Sequence, residues 1–183
     1  MKKIIFVVLA VMLVCFSAVS AQETAVEEKS LTFDTVGDMI SWETTAEEIY
    51  NMLNEYDVEI SVEQDEKYGK TITASQETED ESFAYVFYFD DETEALWEVE
   101  CYSVLYNSEI LVPAFQALYE SYGFEDAEPY ENENLAAYAE SFDETYTVAG
   151  DSTIALLAGK AETEDEYGQL ALVLINREYF ESL

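Results

Sequence analysis

The seven residues Phe83-Ala84-Tyr85-Val86-Phe87-Tyr88-Phe89 are apolar or aromatic at every position. Side chains alternate between the two faces of a strand, so this run is apolar on both and belongs in the middle of a sheet. The rest of the chain must supply its neighbours. Val58, Ile60 and Val62 alternate with Glu59, Ser61 and Glu63, which predicts a half-buried strand, and Tyr68-Gly69 marks a turn into a partner over 70–76. Asp90-Asp91-Glu92-Thr93 makes the next turn. On the strand after it, Trp97, Val99, Cys101 and Leu105 are expected to face a core, and Glu98, Glu100 and Tyr102 to face water. Thr153–Ala158 and Gln169–Ile175 read as two closing strands around an acidic loop, the second apolar on both faces.

Helices are marked by their ends. Thr44-Thr45-Ala46-Glu47-Glu48 contains overlapping Thr-x-x-Glu capping boxes, and Ile49, Leu53 and Tyr56 follow at helical spacing, so a helix is predicted over 45–56. A second helix starts near Pro113, after an approach turn over 108–112, and stops at Tyr122-Gly123. Its stripe is Ala114, Phe115, Leu118 and Tyr122. Residues 125–148 are acidic and ambiguous, with a short helix around Leu135–Ser141. Short links between strands imply antiparallel pairing. The expected fold class is α+β, an antiparallel sheet of about six strands with two main helices packed on one face.

At the N-terminus, Lys2 and Lys3 precede the apolar run Ile4–Ala18, and Val19-Ser20-Ala21 offers a cleavage site. This is the pattern of a secretory signal peptide over 1–21, and the run is shorter than the ~20 residues a spanning helix needs. Leu13-Val14 ahead of Cys15 lacks the small residue that lipoprotein processing prefers. Cleavage leaves an exposed segment over 22–40, a single α+β domain over 41–183, and Cys101 as the one cysteine. The expected product is secreted, periplasmic or extracellular, without membrane attachment once the leader is removed.

The order of elements resembles that of small secreted bacterial domains whose helix and β-meander are similar to one half of a β-lactamase inhibitor protein. The resemblance is carried by Thr45–Tyr56, Phe83–Phe89, Leu118-x-x-x-Tyr122-Gly123 and Thr153-x-x-x-Leu157. It implies a fold and an extracytoplasmic location.

Composition narrows the chemistry. The chain of 183 residues has 41 acidic and 7 basic side chains and no histidine. Serine triads, Cys-His dyads and His-ligated zinc or haem are excluded. Such an acidic surface has no footprint for phosphate backbones, so no nucleic-acid partner is expected. The expected partner is a cationic protein or peptide.

Two sets of carboxylates merit attention. Glu-Thr-Glu-Asp-Glu occurs twice, at Glu77–Glu81 and Glu162–Glu166, each copy between strands. If both loops leave one sheet edge, Glu77, Glu79, Asp80, Glu81, Glu162, Glu164, Asp165 and Glu166 gather hard oxygen ligands suited to calcium. Neither copy has the EF-hand pattern, and the plain reading is that they keep hairpin tips solvated. The second set is Glu98 and Glu100, ~7 Å apart by strand rise, with Tyr102 beside them. Two carboxyl groups ~5–9.5 Å apart can hydrolyse a glycoside, and the same three residues can form an interaction surface. Cys101 has no basic neighbour in sequence and reads as a small buried hydrophobe. Trp42 reads as a packing residue, and the fourteen tyrosines suit strands as much as contact surfaces.

The expectation is an exported, acidic binding domain with no catalytic residues and no cofactor. The alternatives are a small carboxylate-based, glycosidase-like hydrolase and an envelope structural protein with weak divalent-cation binding.

Overall fold

A computed structural model describes residues 31–65, 69–79, 81–106, 108–161 and 167–182. Seven strands form one antiparallel sheet: β1 (Glu59–Asp65), β2 (Gly69–Glu77), β3 (Glu81–Phe89), β4 (Leu96–Leu105), β5 (Glu144–Ala149), β6 (Thr153–Ala161) and β7 (Gly168–Asn176). Their order is β1-β2-β3-β4-β7-β6-β5, which puts the apolar runs of β3 and β7 on either side of β4. The α+β class holds, with one strand more than expected. The additional strand is β5, hidden in sequence by the acidic and polar residues Glu144, Thr145 and Thr147.

The inner face buries Ile72, Ala74, Phe83, Tyr85, Phe87, Phe89, Leu96, Val99 and Cys101. Helices α1 (Phe33–Met39), α2 (Ala46–Leu53) and α3 (Leu111–Ser121) contribute Val36, Ile49, Leu53, Leu111, Phe115 and Leu118 to this layer. The Thr45 capping box is present: Thr45 Oγ1 accepts from the Glu48 N–H, and the Glu48 carboxylate accepts from the Thr45 N–H at 2.9 Å. These bonds hold the Glu48 carboxyl below its ordinary range. A 3₁₀ turn at Ser108–Ile110 leads into α3, as the approach turn requires. The helix then ends in a Schellman motif. Gly123, at φ 68°, donates to the Glu120 carbonyl and Phe124 donates to that of Tyr119. Gly159 on β6 lets α3 sit close, since a Cβ there would lie 2.8 Å from the Phe115 ring.

Three expectations are corrected. Residues 31–40 are not an exposed tail: Leu31 is 1% exposed, and Thr32 and Thr35 form a capping box that starts α1. The reason is local, for Leu31 and Val36 are apolar anchors on either side of a helix start. The remainder of that segment, like the leader, lies outside the described residues. Secondly, the helices are not confined to one face. Leu135 of α4 (Glu133–Ala139) and Phe180 of α5 (Arg177–Ser182) pack on the outer face, against Ile154, Leu156, Ala158, Ala171, Val173 and Ile175. Those residues alternate with the inner set and are just as apolar, so this half of the outer face needed a cover. Thirdly, Trp97 does not face the inner core. The β3–β4 register slips so that Tyr88 pairs with Glu98 and Phe89 with Leu96, leaving Trp97 as the extra residue of a bulge. Its ring stacks on Tyr179 at 5.2 Å and meets Tyr88 at 5.8 Å, and Tyr88 is an outer-face residue.

Candidate functional site

Glu98, Glu100 and Tyr102 do share one face of β4, as their alternation requires, but that face is not wet at this point. Across the sheet Glu98 pairs with Tyr88 and Ile175, Glu100 with Val86 and Val173, and Tyr102 with Ala84 and Ala171. Glu100 is 3% exposed and Tyr102 is 7% exposed, while Glu98 is partly buried. Glu100 and Tyr102 therefore cannot form the exposed surface expected of them. They line the inside of the outer layer, because β7 and β6 beside them carry apolar side chains that draw α4 and α5 over the sheet.

This environment shifts both carboxyls upward. Burial raises the Glu98 carboxyl well above its ordinary range, and the neighbouring Glu100 charge and their mutual hydrogen bond raise it further. Burial also raises Glu100. Hydrogen bonds from Tyr88, whose hydroxyl donates to Oε2 at 2.7 Å, from Tyr102 and from Glu98 oppose that rise. Of the two, Glu98 is raised the more strongly and holds its proton to the higher pH. Among the described residues, the groups acting on the pair are Tyr88, Tyr102 and the two carboxyls themselves, with no lysine or arginine.

Glu100 is buried under the outer layer and does not open onto a cleft of the kind a glycoside and a water would enter. Around them Trp97, Tyr88 and Tyr179 form a ring cluster, and the Tyr179 hydroxyl donates to Asp90 Oδ2 at 2.9 Å. Burial and that carboxylate push the Tyr179 hydroxyl up to about 12. Asp90 moves the other way, held below its ordinary value chiefly by the Thr93 N–H of its own turn.

The acidic hairpins are partly outside the described residues: Asp80 and Glu162, Glu164, Asp165 and Glu166 all are. The ladder Glu81–Leu105–Gly168–Ala161 shows that β3 begins, β7 begins and β6 ends at one end of the sheet. Glu77 accepts from the Tyr106 hydroxyl at 3.0 Å and Glu81 from the Ser103 hydroxyl at 3.0 Å, while Glu79 is exposed. Cys101 is buried, and burial together with the Glu100 charge raises its thiol well above the ordinary value. Trp42 is a packing residue whose Nε1–H donates to Thr153 Oγ1 at 3.1 Å.

One concave feature escaped the sequence. An open cleft of about 700 Å³ runs between α4 and β5, lined by Tyr130, Glu131, Glu133, Leu135, Glu140 and Thr147 among others. Glu131, Glu133 and Glu140 are exposed at its rim, and none of the described residues lining it is basic. The acidity of 125–148 was visible in sequence, but the cleft requires β5 to be recognised as a strand.

Comparison with protein-family models, with curated proteins and with solved structures finds no match.

Proposed function

We propose that this protein is an exported, non-catalytic binding module for a cationic polypeptide. The observation that carries the reading is the acid-rimmed cleft between α4 and β5. Glu131, Glu133 and Glu140 offer charge, while Tyr130, Leu135 and Ala136 offer apolar surface for the stem of a lysine or arginine. The basic side chains among the described residues are Lys70, Lys160 and Arg177, and Arg177 is held by Glu181 at 2.8 Å and by the Gly150 carbonyl at 2.9 Å. The surface carboxylates thus greatly outnumber internal partners, which favours long-range attraction of cations. The burial of Glu100, with the Tyr88 hydroxyl donating to it, supports a structural role for that pair over a hydrolytic one. Export is read from the leader, and the resemblance to secreted domains points the same way.

The test is calorimetric titration with an oligolysine peptide at low ionic strength and again at ~0.3 M salt, where screening reaches within ~6 Å. Binding that weakens with salt, and weakens with Glu131→Gln, Glu133→Gln and Glu140→Gln combined, is the expected result. No binding at low salt would end the reading. Mass spectrometry of the exported protein should find Gln22 at its N-terminus; an intact leader would refute the export reading.

A further inference from the structure

The two edges of the sheet are finished differently. At β5 the chain closes its own edge, with the Tyr130 N–H donating to the Thr147 carbonyl at 2.8 Å and Pro129 bridged to Val148. At the other edge, β1 is paired with β2 over seven consecutive residues, from Glu59–Ser75 to Asp65–Gly69, and among the described residues its far side pairs with nothing. A strand left this way presents alternate N–H and C=O groups outward over ~23 Å, a template for another strand. Edges are ordinarily blunted by charged side chains, lysine above all, by proline or by a bulge. The sequence Glu-Ile-Ser-Val-Glu-Gln-Asp has no lysine, no proline and an unbroken register; its charges are all acidic, which guards the edge against acidic strands and leaves it open to a basic one.

Two features of β1 select the occupant. On the outer face stand Glu59, Ser61 and Glu63, all exposed; on the inner face stand Ile60 and Val62, with Val62 51% exposed. Pairing with a second copy would bring glutamates against glutamates, and like charges directly opposite are destabilising. A strand with basic residues opposite Glu59 and Glu63, and apolar residues opposite Ile60 and Val62, meets charge with charge and covers Val62. We infer that β1 is a docking edge that takes an extended basic segment of a partner protein as an eighth strand, in the pattern basic-apolar-small-apolar-basic. This rests on the cationic-partner reading for the partner's charge, and adds a mode of binding at the edge remote from the cleft.

The test uses the full mature protein and the labelled peptide Thr-Lys-Val-Thr-Val-Lys-Thr, whose pattern serves both strand directions. Its control has proline at the central position, with the same charge but no capacity to continue a ladder. The expected result is that the strand peptide binds at least about tenfold more tightly than the control, a difference of ~1.4 kcal/mol. Hydrogen exchange should slow within 59–65, and Val62→Lys, a lysine at an exposed position, should weaken binding. Equal affinity for the two peptides would overturn strand addition while leaving attraction by charge. Protection confined to the α4–β5 cleft would overturn it equally. Failure of both peptides to bind would overturn it too, and the oligolysine titration then judges the cationic-partner reading separately.

Discussion

Replacing Glu98 with glutamine removes one titrating group from the outer layer without removing its hydrogen bond, since the amide N–H can still donate to Glu100. The consequence is a change in how stability depends on pH. In the unfolded chain Glu98 releases its proton near the ordinary carboxyl value of 4.5. In the folded protein burial and the Glu100 charge hold that proton to higher pH. The native state therefore binds more protons across the window that opens near pH 4.5, and stability falls as pH rises through it. A difference of one whole proton lowers stability by ~1.4 kcal/mol per pH unit. Between pH 5 and 7 the wild type should lose up to ~2.7 kcal/mol relative to Glu98→Gln. What the other carboxyls contribute is common to the two proteins and cancels in the comparison. Asp90 and Glu48, whose carboxyls are held low, act only in more acidic solution, so the assay stays above pH 5. Urea midpoints of the two proteins at pH 5, 6 and 7 measure the effect. Parallel pH profiles would refute the raised Glu98 carboxyl.

Gly159→Ala should destabilise by ~1–3 kcal/mol, because the added methyl meets the Phe115 ring at 2.8 Å and α3 must shift; a thermal melt checks it. Thr45→Ala should cost ~1 kcal/mol by removing the helix cap, read from a denaturation midpoint. Trp97→Ala should cost ~3 kcal/mol, at the lower end for large aromatics because the ring is only half-buried in its stack with Tyr179; an unchanged urea midpoint would refute that packing. If the paired acidic hairpins hold calcium, millimolar calcium should raise the melting temperature above sodium at equal ionic strength. Identical melting curves would discard that site.

Much of the fold was legible because local signals agreed with the final packing. The Thr45 capping box, the Tyr122-Gly123 stop and the two-faced apolar runs of β3 and β7 each specify their element within the chain itself. What could not be read was register. The extra residue at Trp97 turns one aromatic side chain to the opposite face, and nothing in Ala95-Leu96-Trp97-Glu98 announces it. The wet-face expectation for Glu98, Glu100 and Tyr102 failed for a related reason. It treated β4 alone, whereas its neighbour β7 is apolar on both sides and needs cover on both. A strand flanked by such a neighbour is buried with it, whatever its own polarity. The cleft was hidden because β5 looks like a loop until it pairs with β6.

Infrared spectroscopy tests the central claim, that burial in the outer layer holds the Glu98 proton above the ordinary carboxyl range, most directly. As pH rises past that range, the wild type should keep the C=O stretch of a protonated carboxylic acid to higher pH than Glu98→Gln does. Loss of that stretch at the same pH in both proteins would contradict the account.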